Sequence, residues 1–298
     1  MTSRITVIGG ANVDIGGRPA AALALRDSNP GTVSQRYGGV GRNIAHNLCL
    51  LGQKVSLITA LGGDLYGDGL RESCRALGMD LSMSLILPDR RSSTYLYVTD
   101  ESGDMHVGIS DMEITRCLTP EVLEAHREAI NASDAVVVDA NLEAETLRWI
   151  GEAIRVPLYA DPVSAAKAPR LRTLLPRLRA LKPNALEALA LTGEHDSLAA
   201  VRALQERGVQ RVFLSLGAHG MIAAEGEETV KLPCVKLPLV NTTGAGDAAL
   251  AALVWADLNG GDLENCARTA LLAGAITSAC PEANNPELGK LLKNGTAR

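Results

Sequence analysis

Apolar positions follow two different spacings along most of the chain. Short, mostly apolar strand-like runs occupy residues 5–8, 55–59 and 135–138. Residues 65–77 and 144–154 instead carry apolar side chains at helical spacing. Because parallel strands must be joined by long crossovers, which are usually helices, this alternation predicts a parallel sheet covered by helices.

One stretch of the chain departs from this alternation. Two strand-like runs at residues 93–99 and 105–109 flank a turn at residues 101–104, which predicts a β-hairpin. Residues 15–37 are mixed in polarity and rich in turn-forming residues. Together, these segments are consistent with a small β lid over the ligand-binding edge of the sheet, and equally with an ordinary edge hairpin.

The composition narrows the class of protein. A chain of 298 residues can form one large α/β core. Its 46% hydrophobic and 21% charged residues are ordinary for a soluble globular protein, and no apolar run is long enough to predict a membrane helix. The start of the chain lacks the features of a signal peptide, so we expect a cytoplasmic protein. A net charge of −5 and only 3% aromatic residues argue against a nucleic-acid partner.

The sequence Thr-Thr-Gly-Ala-Gly-Asp, which ends at Asp247, precedes an Ala-rich helix predicted over residues 248–258. The small residues Gly244, Ala245 and Gly246 allow a ligand to approach the backbone, and amides at a helix N-terminus attract anions. The Asp247 carboxylate can cap the helix or accept a proton from an alcohol that attacks a bound phosphoryl group. The complete string favours the second role.

A second string begins at Lys182 and places Asn184 at the start of a predicted helix, with Glu187 three residues later. This spacing is that of a capping box, in which the two side chains satisfy the first backbone amides. The same side chains are also suited to contact phosphates, or Mg²⁺ through water. By spacing alone, the capping box is favoured.

Glycines mark two further candidate sites. The run Gly-Gly-Val-Gly-Arg-Asn begins at Gly38, and a turn with tight helix packing explains it. Alternatively, sugar hydroxyls approach the backbone of Gly38 and Gly39 while Asn43, Asn12 and Asp14 supply hydrogen bonds.

The second glycine-containing segment follows a strand-like run over residues 212–215. It contains Ser215, Gly217 and Gly220, which could border a nucleotide. A plain β-turn is an adequate explanation of the same residues. The sequence leaves both explanations open.

These strings, in this order and along essentially the whole chain, resemble the signature set of the ribokinase-like (PfkB) carbohydrate kinases. The resemblance implies an α/β fold, a ribokinase-like three-layer sandwich with a central, mainly parallel sheet and a small β lid. It implies a single kinase domain over residues 1–298, with lid segments at about 15–37 and 92–110, and a homodimer that forms through the lid. Strings at residues 27–31, 161–164 and 284–286 further resemble the pseudouridine kinases of the family.

The resemblance also implies the chemistry. It implies ATP-dependent phosphorylation of the 5′-hydroxyl of pseudouridine in the presence of Mg²⁺. Asp247 would deprotonate this hydroxyl, and the amides of residues 244–246 would stabilise charge on the transferred phosphoryl group. The other residues implied are ribose ligands at Asn12, Asp14, Gly38, Gly39, Asn43 and Asn141; ATP neighbours at Ser215, Gly217, Gly220 and Thr243; and Asn184 with Glu187 on the phosphates, where Glu187 is also the Mg²⁺ ligand.

Two departures from the family pattern bear on substrate and cofactor. Asn241 stands where the family string begins with Asp, a position associated with monovalent cations, so potassium activation stays open. Val40 stands where ribokinases often carry Lys, which favours a nucleoside over free ribose.

The alternative functions are a kinase for ribose, a fructose-like sugar or adenosine, and a non-catalytic nucleoside sensor. Asp247 beside a complete glycine string counts against the sensor.

Overall fold

The computed structural model describes residues 2–295, in which the chain forms an eight-stranded sheet, a four-stranded sheet and a two-stranded sheet. The strands are β1 (Arg4–Ile8), β2 (Asn12–Pro19), β3 (Gly31–Gly38), β4 (Lys54–Ile58), β5 (Ala60–Gly62), β6 (Leu85–Leu87), β7 (Thr94–Thr99), β8 (Met105–Asp111), β9 (Ala135–Asp139), β10 (Leu158–Asp161), β11 (Leu178–Leu181), β12 (Arg211–Ser215), β13 (Met221–Glu225) and β14 (Glu228–Leu232). The helices are α1 (Val40–Leu50), α2 (Leu65–Ala76), α3 (Pro120–Glu124), α4 (Arg127–Asn131), α5 (Ala144–Ala153), α6 (Ala185–Thr192), α7 (Ser197–Glu206), α8 (Ala245–Leu258), α9 (Leu263–Ser278) and α10 (Leu288–Gly295).

The eight-stranded sheet is mainly parallel and has the order β14-β13-β12-β11-β10-β9-β1-β4. The six strands from β12 to β4 are parallel, and β13 and β14 complete the sheet in antiparallel pairing. The loops that follow β1, β9, β10, β11 and β12 therefore meet at one edge of the sheet, where ligands bind in open α/β folds. The predicted fold class is confirmed.

Helices cover both faces of this sheet because its side chains alternate between two cores. In β9, Val136 and Val138 pack into the core beneath α5, α6 and α7, whereas Ala135 and Val137 pack against α1, α8 and α9. All four side chains are fully buried. Burial of a valine side chain stabilises the fold by about 1.5–3 kcal/mol. A strand with apolar residues on both faces is therefore most stable at the centre of a sheet that is covered on both sides. None of the helices within residues 2–295 is long and apolar enough to cross a membrane.

The four-stranded sheet has the order β3-β2-β7-β8 and forms the lid. Its β7–β8 hairpin was predicted, whereas the residues of β2 and β3 were predicted only as a turn-rich segment. Strand β2 pairs with β3 in antiparallel register, with Asn12 opposite Gly38, and with β7 in parallel register. Opposed residues share a face, so Asp14 lies on the same face as Tyr95. We call this the site face. That residues 1–298 make up a single domain stays a prediction.

The other surface of the small sheet is the apolar lid face. By register, six apolar side chains on the four strands lie on this surface, those of Ile15, Val33, Leu96, Val98, Val107 and Ile109. Gln35, which lies opposite Ile15, adds a polar side chain to it. The lid therefore presents one polar surface, continuous with the site, and one apolar surface.

A network of charged side chains lies at the opposite edge of the large sheet, near the C-terminus of α8. The buried Asp257 carboxylate accepts hydrogen bonds from Tyr159 Oη (2.7 Å), from Arg179 Nε (3.0 Å) and from Arg211 Nη1 (2.9 Å). Arg211 also donates to Glu225 Oε2 (2.7 Å). Although burial raises the pKa of Asp257, hydrogen bonds from Arg179 and Tyr159 hold it below its usual value.

We expect Asp257→Asn to destabilise the protein by about 3 kcal/mol at neutral pH, because it removes the carboxylate that Arg179 and the buried Arg211 share and leaves Glu225 as their remaining carboxylate partner. Urea unfolding would measure the loss. Because folding lowers the pKa of Asp257, its ionised form stabilises the fold above about pH 4, and this contribution disappears as pH falls through the lower folded value. The difference between parent and variant should therefore shrink in acid. Glu264→Gln, which breaks an exposed pair with Arg268, should cost under about 1 kcal/mol.

Candidate active site

The carboxylate of Asp139, at the end of β9, joins three backbone segments at the ligand-binding edge. Its Oδ2 accepts hydrogen bonds from the amides of Gly10 (2.9 Å) and Gly41 (2.8 Å), and its Oδ1 accepts one from the amide of Asn141 (2.9 Å). Asp139 is fully buried. Burial raises the pKa of Asp139, and hydrogen bonds from the amide of Gly10 and from Asn141 oppose this shift by favouring the carboxylate. The carboxylate thereby fixes the loop after β1, the start of α1 and the loop after β9.

The start of β2 carries a polar pair on the site face. Asn12 Nδ2 donates to Asp14 Oδ1 (2.6 Å), and Gly38 lies opposite Asn12 on β3. A Cβ atom at Gly38 would lie 2.2 Å from Asp14 Oδ2, so the space that Asp14 occupies depends on the glycine. Burial raises the pKa of Asp14 despite the hydrogen bond from Asn12. Three of the predicted ribose ligands therefore form one cluster.

Helices α1 and α8 meet at a hydrogen bond between two of the predicted site residues. Asn43 Nδ2 donates to Asp247 Oδ2 (2.9 Å), and both side chains are buried. The other amide atom, Asn43 Oδ1, is buried without a hydrogen-bond partner. Buried polar atoms are nearly always paired, so this oxygen is suited to accept a hydrogen bond from a ligand hydroxyl.

The N-terminus of α8 is the position of the predicted anion hole. The helix begins at Ala245, three residues earlier than predicted, because Gly244 adopts a left-handed conformation (φ 79°) at its N-cap. A Cβ atom at position 244 would lie 1.9 Å from the carbonyl oxygen of Ala283, so only glycine fits there. The first amides of the helix have no acceptors within the helix and carry the positive end of its dipole. This end of α8 is therefore suited to bind a phosphate.

Lys182, at the end of β11, is a buried cation among carboxylates. Its Nζ lies 3.4 Å from Asp161 Oδ2, and a Cβ atom at Gly246 would lie 3.5 Å from Nζ. Although burial lowers the pKa of Lys182, the carboxylates of Asp161, Glu187 and Asp247 outweigh this effect and raise it. The ammonium group is therefore charged, and it lies beside the predicted anion hole, where it is suited to attract a phosphoryl group.

Burial raises the pKa of Asp247 well above its usual value, and the carboxylate of Asp161 raises it further. The hydrogen bond from Asn43 and the charge of Lys182 act in the opposite direction. A carboxylate with a raised pKa is a stronger base than an exposed one. Asp247 is therefore suited to accept a proton from a hydroxyl group at the anion hole.

Asn184 and Glu187 form the predicted capping box at the start of α6. Asn184 Oδ1 accepts a hydrogen bond from the amide of Glu187 (2.9 Å), and Glu187 Oε2 accepts one from the amide of Asn184 (2.8 Å). Burial raises the pKa of Glu187, as does the carboxylate of Asp161. The structural explanation of this string is correct, and the proximity of Glu187 to Lys182 and Asp161 leaves a role at the phosphates open.

A cleft of about 500 Å³ lies beside the capping box and contains several of the predicted nucleotide contacts. The residues that line it are Asn184, Ala185, Leu186, Ser197, Ser215, Leu216, Gly217 and His219. Gly220 is not among them, since it turns the chain toward Leu232, whose carbonyl oxygen would lie 1.9 Å from a Cβ atom at this position. Thr243, which precedes the anion hole, is exposed, and its amide donates to Asn241 Oδ1 (3.0 Å).

Asn141, a weaker candidate among the predicted ribose ligands, follows β9. Its side chain contacts a second, partly buried lysine at this edge of the sheet. Lys167 Nζ donates to Asn141 Oδ1 (2.6 Å). Burial lowers the pKa of Lys167, while the carboxylate of Asp139 opposes this shift. The side chain of Asn141 also hydrogen-bonds to the carboxylate of Asp139, so its polar atoms are held by partners within the protein.

Sequence reasoning assigned no role to three residues that organise the site, namely Asp139, Asp161 and Lys182. Asp139 bonds to amides 129 and 98 positions away along the chain, so no local motif reveals it. Lys182 was visible only as the first residue of the capping-box string. Asp161 divides its oxygens between Lys182 and the amide of Val163 (2.7 Å), a β-branched residue held at φ 66°. Such a conformation costs about 1–3 kcal/mol and often occurs at functional sites.

Comparison with known proteins agrees with this geometry. The sequence model of the family described as "pfkB family carbohydrate kinase" matches residues 2–289. The pseudouridine kinase of Escherichia coli K12 is 38% identical over 292 residues, which cover 95% of this chain and 93% of that protein. A second E. coli K12 protein, the "Uncharacterized sugar kinase YeiI", is 36% identical over 289 residues, or 95% of this chain and 80% of that protein.

A solved structure, the ribokinase from Thermotoga maritima, has a TM-score of 0.89 to this chain at 22% sequence identity. The superposition covers 99% of this chain and 100% of that one. At such an identity, the likeness bears on the fold alone. It agrees with the predicted ribokinase-like fold.

We expect Asp247→Asn to raise the free energy of unfolding at neutral pH. Because folding raises the pKa of this carboxyl, stability falls as pH rises from about 4 through the folded pKa, and the neutral amide removes this loss. Lys182 keeps its partner Asp161 in the variant. Urea unfolding between pH 4 and 8 would measure the difference, which should vanish at the acid end. Asp89→Asn, at an exposed loop position, should leave stability unchanged, and a less stable Asp247→Asn would contradict the expectation.

Proposed function

The chain belongs to the pfkB family of carbohydrate kinases, and from this premise we propose that it transfers the γ-phosphoryl group of ATP to the 5′-hydroxyl of pseudouridine. The observation that carries the proposal is the hydrogen bond that places Asn43 against Asp247, next to the N-terminus of α8. It brings a polar hydroxyl-binding side chain, a buried base and an anion hole to one point. The 38% identity to a pseudouridine kinase supports the choice of substrate.

In the proposed reaction, the Asp247 carboxylate takes the proton of the 5′-hydroxyl as the hydroxyl oxygen bonds to the γ-phosphorus. The bond between the γ-phosphorus and the bridging oxygen breaks, and that oxygen leaves with ADP. The amides of residues 244–246 and the Lys182 ammonium stabilise the charge on the transferred group. The raised pKa of Asp247 suits this task, since a base is most effective when its pKa lies near the working pH.

The cleft between α6 and the loop after β12 is the proposed nucleotide site. Leu186 and Leu216 offer apolar cover to an adenine ring, and Asn184 lies at the end nearer Lys182. A volume of about 500 Å³ is in the range of small-ligand sites. The cleft and the anion hole are joined by residues 182–184, so a nucleotide in the cleft would direct its phosphates toward Asp247.

The charges of the site fit Mg²⁺ bound together with ATP. Asp161, Glu187 and Asp247 share one buried ammonium group, that of Lys182, which leaves an excess of negative charge. Within residues 2–295, no three His, Cys, Asp or Glu side chains lie close enough to hold an ion together. Mg²⁺ takes most of its ligands from phosphates and water, so Glu187 would suffice as the protein carboxylate. The bound ion would neutralise charge on the phosphates.

The lid supports a nucleoside rather than a free sugar as the substrate. Tyr95 and Tyr97 lie on the site face, with ring centroids 5.7 Å apart, and their rings rest against the backbones of Gly108 and Gly16. Both rings are partly exposed. Stacking on an aromatic side chain is worth about 1–3 kcal/mol to a nucleobase, a contact that ribose alone lacks.

We expect purified protein with Mg-ATP to phosphorylate pseudouridine in preference to uridine, adenosine, ribose and fructose. ADP release and the mass of the product would measure this. Asp247→Asn should lower kcat by about 100- to 10,000-fold, because it removes the base but keeps the side-chain shape. In the parent, kcat should fall as pH drops through the raised pKa of Asp247, since the protonated carboxyl cannot accept a proton.

Asp89→Asn serves as the matched control, because it makes the same change at an exposed position. Turnover of another acceptor with the same response to Asp247→Asn would keep the mechanism and change the substrate. Binding of pseudouridine without turnover in the parent would instead support a nucleoside sensor. Full activity in Asp247→Asn would contradict the proposed base.

The apolar lid face supports a homodimer formed through the lid. Val33 is 79% exposed, Val107 50% and Ile109 61%, and the register places all three on the same surface. Contiguous apolar surfaces of this kind usually mark interaction sites. A second copy of the chain would present the same surface, as a two-fold dimer requires.

We expect the protein to sediment as a dimer and Ile109→Asp to weaken dimerisation by at least about tenfold, since an unpaired carboxylate would be buried in the interface. Analytical ultracentrifugation over a concentration series would measure both. Leu65→Asp makes the same change at an exposed apolar residue on α2 and should leave the dimer intact. A parent that is monomeric at all concentrations would rule out the dimer.

A further inference from the structure

The carbonyl oxygen of Pro281 accepts hydrogen bonds from two different parts of the molecule. Arg36 Nη1, on lid strand β3, donates to it at 2.9 Å, and Asn241 Nδ2 donates to it at 3.1 Å. The Arg36 guanidinium also lies 3.7 Å from the Glu282 carboxylate. A single carbonyl group therefore joins the lid to the segment that precedes the anion hole.

The loop that contains Pro281 is part of the support of the anion hole. Two residues further on, the backbone of Ala283 packs directly against Gly244, where it leaves no space for a Cβ atom. Asn241 contacts the other side, because its Oδ1 accepts a hydrogen bond from the amide of Thr243 (3.0 Å). Asn241 therefore links residue 281 to the start of the phosphate-binding string.

Arg36 also faces the substrate side of the site. It lies directly opposite Asp14 in the β2–β3 pairing, on the site face. The Arg36 charge lowers the pKa of Asp14, against the larger effect of burial. Arg36 is thus placed between a proposed ribose ligand and the loop that supports the anion hole.

These contacts do not fit a monovalent cation, although the family associates position 241 with one. Such an ion is coordinated by carboxylate or carbonyl oxygens that are free to face it. Here, the side chain at 241 is neutral and turns its NH₂ group toward Pro281, whose carbonyl oxygen is already bonded to two donors. One of these donors is itself a cation, which disfavours a second positive charge nearby.

We propose that Arg36 and Asn241 supply, from within the chain, the ordering of the anion-hole loop that a monovalent cation supplies in potassium-activated relatives, so that phosphoryl transfer by this protein is independent of potassium. Arg36 is then a positioning residue, which couples the lid to the anion hole without touching the reacting atoms. The inference rests on the proposed kinase activity. It adds to that activity the statement that no monovalent cation is needed beside residue 241.

The expected change in activity on loss of Arg36 follows from the exposure of its ion pair with Glu282. The side chain of Arg36 is 45% exposed and that of Glu282 57% exposed, so the ion pair is a surface contact of small energy. The loss of Arg36 alone should therefore change kcat/KM by about fivefold or less. The informative quantity is the ratio of activities in potassium and in a cation too large to bind.

The test compares the parent with Arg36→Gln, Asn241→Asp and the double variant. Pseudouridine phosphorylation and ADP binding by calorimetry are each measured in potassium chloride and in tetramethylammonium chloride at equal ionic strength, which keeps screening the same. We expect equal kcat/KM and equal ADP affinity in the two salts for the parent. The double variant, which restores the carboxylate and removes the guanidinium, should become about fivefold or more active in potassium than in tetramethylammonium. Arg268→Gln breaks an exposed ion pair on α9 and should leave the ratio at one.

Each outcome decides the proposal. A parent that is at least about tenfold more active in potassium, or that binds ADP more tightly in it, overturns the inference. A double variant without a potassium response overturns it as well, because the two residues would then not be the substitutes for the ion. Should no acceptor be phosphorylated, the proposed function fails. The ADP affinities in the two salts then decide the inference by themselves.

Discussion

The carboxylate of Asp139 is the constraint on which the site depends. It accepts hydrogen bonds from the backbone amides of Gly10, Gly41 and Asn141, which belong to two loops and the start of α1 at the ligand-binding edge of the sheet. The start of α1 is one of these segments, and α1 carries Asn43, which orients Asp247 on α8. A buried donor without an acceptor costs about 1–3 kcal/mol. Loss of the carboxylate would therefore release three segments together, and with them the alignment of Asn43 with Asp247, the proposed base.

Much of the fold could be predicted from the sequence because its signals are local. The apolar run of β9 and the glycine string before α8 are contiguous, and each specifies one element. The strands β2 and β3 were not predicted, because glycines such as Gly16 interrupt the alternation of β2. The structure accounts for this glycine, since the ring of Tyr97 rests against its backbone. In this lid, packing between strands decides the conformation more than the propensity of either strand.

The candidate site could be predicted only as far as its residues lie in contiguous strings. Asp247 and Asn43 were found separately, and the structure joins them across 204 positions of the chain. No role was predicted for Asp161 or Lys182, because the significance of these two side chains is electrostatic. It arises when parallel strands bring their ends together, and the raised pKa of Asp247 is the result. For Glu187, the structural role was correctly predicted, because a capping box is defined by local spacing. Its contribution to the charge around Lys182 was not evident from spacing alone.

Helix α8 carries Asp247 in its first turn and Asp257 in its last, about 15 Å apart at 1.5 Å per residue. At one end, burial of a carboxylate works against stability, and at the other, a buried carboxylate held by two arginines supports it. At this separation, substitutions at the two ends should be nearly additive in their effect on stability. The charged network around Asp257 can thus hold α8 in position independently of its N-terminus. During evolution, residues near Asp247 could then be substituted, as a new substrate requires, without loss of the helix.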